Sequence, residues 1–225
     1  TPVSDLSPLK SLPELKAVYC DKSLVGREEA MDFLKARPEV KVIYESEELT
    51  AWWNELPGEW KTIFASLVAL DTVPTREQLH ELTNIKKLDV SANSRITDLN
   101  PLRKLSALEE LNASKTAIIE MLAVKELINL KNLDVNSCPI TDLSPVSSLK
   151  GLMTLNISST KIADLSAVKG LRNLHSLKVN NCPVTQAAPL LGLDRLEFLY
   201  AEGVPVIENS ILQLWDSIPE ALIIY

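Results

Sequence analysis

The feature that most constrains this chain is a stride. Leu105, Leu127, Leu149, Leu171 and Leu193 stand 22 residues apart, and Leu82 precedes the first of them by 23. Inside each unit the apolar residues keep one spacing. It reads Leu105, Leu108, Leu111, Ala113, then Leu127, Leu130, Leu133, Val135. The series continues through Leu149, Leu152, Leu155, Ile157 and through Leu171, Leu174, Leu177, Val179. A second apolar pair follows in the middle units, Ile140 with Leu143 and Ile162 with Leu165. A gapless register over four steps is the signature of a repeat architecture, in which no unit can bury its apolar face alone.

The stretch Leu133-x-Val135 alternates, so it predicts a short strand with two residues facing inward. Stacking such units builds one continuous core and one parallel sheet. Asn100-Pro101 and Ser144-Pro145 each place a capping side chain before a proline, which predicts a short helical turn on the return. Ser7-Pro8 repeats the device.

These units resemble the short bacterial leucine-rich repeats of the internalin type. The residues that carry the likeness are LDVNSCPITDLSPVSSLKGL (133 to 152) and LNISSTKIADLSAVKGL (155 to 171). It covers roughly residues 82 to 207 and again the first twenty-five or so. The resemblance implies an α/β fold: a right-handed leucine-rich repeat solenoid with a parallel sheet on its concave face, used to bind other macromolecules. A helical N-terminal cap and a helix-strand C-terminal cap would close it. One position departs from the pattern. Five residues after the strand leucine the family usually has Asn, but here the series runs Asn93, Thr116, Cys138, Thr160, Cys182, Val204. Thr and Cys can still donate weakly to buried carbonyls, whereas Val204 cannot.

The two ends of the chain also match each other. Residues 1 to 44, shifted by 181, align without a gap on 182 to 225. Pro2, Pro8, Leu12, Tyr19 and Val25 fall on Pro183, Pro189, Leu193, Tyr200 and Val206, and Ile43-Tyr44 falls on Ile224-Tyr225. Each end is expected to be a last repeat, a short helix and a closing strand. The expected organisation is therefore four-part. Residues 1–46 end a preceding, mostly absent array, which makes Thr1 a boundary inside a longer tandem protein. Residues 47–81 form a helical N-terminal cap, 82–207 the repeat array, and 208–225 the C-terminal cap.

Residues 47–81 lack the repeat register. Trp52, Trp53, Leu56, Trp60, Ile63, Phe64, Leu67 and Leu70 sit at helical spacing, and Pro57-Gly58 splits the run into two helices. Thr75 with Gln78 reads as a capping box that starts another helix. The tryptophans are expected to plug the end of the solenoid core. Adjacent Trp52 and Trp53 cannot both point straight inward, so one is expected to be partly exposed.

The net charge is −7 and no basic run is present, which argues against a nucleic-acid partner. No apolar stretch is long enough to span a bilayer. Cys20, Cys138 and Cys182 are too few and too far apart for a disulfide framework. Cys138 and Cys182 lie two strands apart, about 10 Å, beyond disulfide reach, so all three are read as small buried thiols. His80 and His175 have no ligand at metal spacing, and no nucleophile, P-loop or zinc motif is present. No catalytic residue, cofactor or metal site is expected.

What remains is the outward side of the strands. A ladder of Asp89, Asn112, Asp134, Asn156, Lys178 and Tyr200 points away from the core, with Asn180 and Glu202 two residues further along the last two strands and Phe198 two before Tyr200. It reads either as the solvated face any solenoid needs or as a polar groove for a ligand. Aromatic anchors, which dominate protein hot spots, occur only at Phe198 and Tyr200. The leading functional reading is a non-catalytic module that binds another protein through its concave face. The alternatives are glycan or cell-wall binding and a structural spacer in a tandem-array surface protein. The resemblance implies a secreted or cell-surface location, with periplasm or cytoplasm as alternatives.

Overall fold

The computed structural model describes residues 3–225, apart from the side chains of Glu208 and Ile211. Thr1 and Pro2, the latter aligned on Pro183, lie outside the described residues. The chain divides into two compact units, residues 1–83 and 84–225.

In the first unit a 3-10 turn, Ser7–Ser11, leads to β1 (Ala17–Tyr19), α1 (Arg27–Ala36) and β2 (Lys41–Ile43). The two strands pair in parallel, with Val18 opposite Val42. Leu6, Val25, Ala30, Phe33, Val40 and Val42 form a shared core. Three helices follow: α2 (Ser46–Glu55), α3 (Gly58–Leu67) and α4 (Arg76–Thr83). Proline-glycine separates α2 from α3 as its backbone chemistry requires, since Pro57 cannot donate an N–H to a continuing helix. Trp52 and Trp60 pack their rings 5.8 and 5.4 Å from Phe64. The expectation that Trp52 or Trp53 is partly exposed is not met: they are 3% and 9% exposed. Trp53 lies under the ammonium group of Lys61, 5.9 Å from the ring centre, which lets a peripheral indole be covered without facing the middle of the bundle. The capping box of α4 forms in both directions. Thr75 N–H donates to Gln78 Oε1 at 2.9 Å, and Gln78 N–H to Thr75 Oγ1 at 3.3 Å.

The second unit is an α/β leucine-rich repeat solenoid. Its strands are β3 (Lys87–Asp89), β4 (Glu110–Asn112), β5 (Asn132–Asp134), β6 (Thr154–Asn156), β7 (Ser176–Lys178), β8 (Phe198–Tyr200) and β9 (Leu222–Ile224). They form one parallel sheet in sequence order. Leu111, Leu133, Leu155 and Leu177 lie side by side in register, as the 22-residue stride dictates. Each coil returns through a 3-10 turn, among them Asn100–Lys104, Ser144–Ser148 and Ser166–Gly170. The repeat leucines are 3% exposed or less. Each contributes roughly 1.5–3 kcal/mol relative to an exposed side chain. α5 (Pro205–Asn209) and α6 (Ile211–Ser217) then lead into β9.

Two details were misread or unseen in the sequence. The residues before proline are not the caps. Ser144 and Asn100 are the first residues of their turns, and the cap positions before them are held by Leu143 and Leu99. The carboxylate two residues earlier does that work: Asp142 Oδ1 accepts the Ser144 N–H at 2.8 Å, and Asp98 and Asp5 accept from Asn100 and Ser7 in the same way. An Asp at this spacing closes an Asx turn, whose geometry suits the sharp entry better than the residue inside the turn. The second detail is backbone conformation. Ala92, Lys115, Ser137, Ser159 and Asn181 all have φ of +56° to +57°, one in each coil just after the strand. Gly203 takes the place in the next coil. The chain must leave the sheet there through a left-handed residue, and only Gly203 does so without a Cβ penalty.

The internal duplication extends to strand register. Phe198 pairs with Leu222 and Tyr200 with Ile224, and shifting each by 181 gives the observed pairs Ala17–Lys41 and Tyr19–Ile43. Lys22, with φ +63°, falls on Gly203.

Candidate binding surface

Pleating sends the leucine of each three-residue strand inward and its two neighbours outward. The outward rows line an open groove of about 710 Å³ running from Lys87 and Asp89 to Ser176 and Lys178. The groove gathers Asp89, Asn112, Asp134, Asn156 and Lys178. Asn180, Phe198, Tyr200 and Glu202 are not part of its lining and belong to the C-terminal end of the same sheet.

The polar groups of the groove are largely bound to one another. Asn112 Nδ2 donates to Asp89 Oδ2 at 3.0 Å, and Asn156 Nδ2 donates to Asp134 Oδ2 at 2.9 Å. The other oxygen of each aspartate faces along its own chain. Asp89 Oδ1 accepts the Ser91 N–H at 2.8 Å, and Asp134 Oδ1 accepts the Asn136 N–H at 2.9 Å. The hydrogen bonds from Ser91 hold the Asp89 carboxyl below the usual carboxylate range. Thr154 Oγ1 donates to Asn132 Oδ1 at 2.7 Å, and Lys87 pairs with Glu110 at 2.8 Å. The strand edge below carries a stronger arrangement. Glu109 lies between Lys131 and Lys86, at 2.6 and 2.7 Å, and their hydrogen bonds bring its pKa down to about 2.

The end of the face is different in kind. Phe198 is exposed, and the Lys178 ammonium lies 4.9 Å from the centre of the Tyr200 ring. Asn180 Oδ1 accepts the backbone N–H of Glu202 at 3.0 Å, so Asn180 serves the chain turn as much as the surface. β9 adds Leu222 and Ile224 beside Phe198 and Tyr200, both exposed. These two were not read as surface residues from the sequence. The duplication placed the closing strand, and carrying the ladder alternation one strand further would have found them.

Behind the sheet, the thiols are buried and free. Cys138 Sγ donates to the Ala113 carbonyl at 3.1 Å and Cys182 Sγ to that of Ile157 at 3.0 Å. Thr116 and Thr160 donate to the same two carbonyls at 2.8 and 2.7 Å. Thr and Cys thus alternate as donors along the position where the repeats of this type usually carry Asn. His80 is a buried residue with a structural duty: its Nε2 accepts the Tyr44 N–H at 3.2 Å. Among the described residues no group of three His, Cys, Asp or Glu side chains is arranged to hold a metal ion. No described helix is long and apolar enough to cross a membrane.

The fold is that of a leucine-rich repeat solenoid. Residues 128–170 match the family model of leucine-rich repeats in two copies. Among solved structures, internalin C2 of Listeria monocytogenes is similar at 24% identity and a TM-score of 0.54, over 89% of this chain and 77% of that one. The Listeria internalin InlF gives 23% identity and a TM-score of 0.56, over 80% of this chain and 54% of that one. The functional domain of InlJ from the same organism, described as including a cysteine ladder, gives 23% identity and 0.54 over 64% of this chain and 35% of that one. No curated protein sequence matches the chain significantly.

Proposed function

We propose that this chain is a protein-binding module that engages its partner through the concave face, with Phe198 and Tyr200 as anchors. The observation that carries the reading is the change in character along the sheet. In the groove the aspartates and asparagines already satisfy one another, so a ligand gains little by replacing those bonds. At the end of the face an exposed phenylalanine stands beside a tyrosine already engaged by a cation. Large, stiff aromatic side chains of this kind supply most of the binding energy at protein interfaces. The groove then acts as the polar rim that fixes orientation, with Asp89, Asn112, Asp134, Asn156 and Lys178 along the walls and Asn180 and Glu202 at the margin.

The leucine-rich repeat fold is typically a non-catalytic interaction scaffold, and the reading keeps to that class. The likeness of the repeats to the internalin type supports the accompanying proposal of a secreted or cell-surface location. Replacing Phe198 and Tyr200 together by Ala is expected to weaken a captured protein partner by more than about 2 kcal/mol. Lys169→Ala, on the return side of the coil, is expected to leave the affinity unchanged. Equal affinity of the double variant and the parent in a calorimetric titration overturns the assignment of the anchors.

A further inference from the structure

The duplicated ends of the chain have different fates. At the first, the surface around β2 is covered. α4 packs on β2, and Ile43 is 1% exposed. The Tyr44 N–H donates to His80 Nε2, and the two rings lie 5.1 Å apart. Asp21, just after β1, accepts the Ser46 N–H that begins α2 at 2.9 Å and pairs with Arg76 of α4 at 2.9 Å. A strand, a tyrosine and a carboxylate therefore form a receptor, and the α2–α4 helical unit is what sits on it.

The same receptor exists at the second end. Shifted by 181, Asp21, Ile43 and Tyr44 become Glu202, Ile224 and Tyr225. The acidic charge, the isoleucine and the tyrosine are all retained. Strand register is the same in both places. Yet Ile224 is 40% and Tyr225 51% exposed, and Glu202 is exposed as well. An apolar strand edge that keeps its open side is a template for further packing.

We infer that Glu202, Ile224 and Tyr225 form a docking site for a helical unit of the α2–α4 kind. Its occupant would offer an arginine to Glu202, a histidine nitrogen to the Tyr225 N–H, and an apolar helix face to Ile224. At the first end Arg76 of the helical unit also lies 5.8 Å from the Tyr19 ring, the counterpart of Tyr200, so this surface adjoins the anchors proposed above, and docking of the helical unit is read without reference to that partner's affinity.

The test extends the full chain after Tyr225 with a second copy of residues 45–83, against a glycine-serine extension of equal length. Hydrogen exchange of the Ile224 and Tyr225 amides is expected to slow at least about tenfold with the helical extension alone. Far-UV dichroism is expected to show the added helices. Ile224→Asp in the extended chain is expected to abolish the protection, while in the unextended chain it leaves the melting temperature unchanged. Equal exchange with both extensions overturns the proposal. So does an added segment that stays unstructured while residues 45–83 in their own place remain folded.

Discussion

His80 shows how a single residue can be plain in the sequence while its task is not. The histidine was visible at once, and the absence of ligands at metal spacing argued against a metal. Its actual task, accepting a backbone hydrogen bond from Tyr44, depends on a contact across 36 positions that no local pattern encodes. That task sets a pH dependence. Burial pushes the His80 pKa below its ordinary value, against the opposing pull of the carboxylates of Asp21 and Glu77. The unfolded chain therefore takes up the proton at a higher pH than the folded one. Stability is full above about pH 6.5, the unfolded value, and declines as pH falls toward the depressed folded value. Asp89, Asp5 and Glu109, whose pKa values are also lowered, have the same sign but act only below the ordinary carboxylate range. Urea unfolding of the parent between pH 7 and 5 is expected to show the decline, and His80→Gln, which keeps an acceptor but cannot take the proton, to flatten it. A parallel slope in both chains refutes the role given to His80.

The element scale separates what the stride encodes from what turn chemistry adds. Strand positions follow from the leucines alone, because a three-residue strand has only one residue to turn inward. The turn capping does not follow, since Asp, Ser and Asn all favour such positions and only the backbone path chooses among them. Asp142 accepts both the N–H and the hydroxyl of Ser144. Asp142→Ala is therefore expected to cost about 1 kcal/mol of stability, as loss of a capping acceptor does. Ser144→Ala is expected to cost only a few tenths, since the Asx turn keeps its backbone bond. Chemical unfolding that ranks the two variants in the opposite order returns the capping role to Ser144. The left-handed residues were also illegible, for a related reason. Ala92, Lys115, Ser137 and Ser159 are poor formers of that conformation, so nothing in their identity marks it, and only Asn181 and Gly203 offer a hint.

For the whole molecule, the sequence disclosed the framework of the second unit almost completely and the surface only in part. Coils that differ by no insertion must superimpose, so the leucine register specified which residues face out as well as which face in. Asp89, Asn112, Asp134, Asn156 and Lys178 were accordingly placed together in advance. Their mutual hydrogen bonds were not foreseeable, because side-chain pairing between strands depends on rotamers that the register does not set. The stacking itself is what most needs a direct trial, and deletion supplies it. Contacts in such an array run between neighbouring coils only, so removing the 22 residues from 133 to 154 brings Leu155 into the place of Leu133. That shortened chain is expected to unfold cooperatively with native-like far-UV dichroism, whereas removing only the first 11 of them, about half a coil, is expected to abolish the transition. Loss of the folded state in the 22-residue deletion, or equal tolerance of both, contradicts a core built from leucines at a fixed stride.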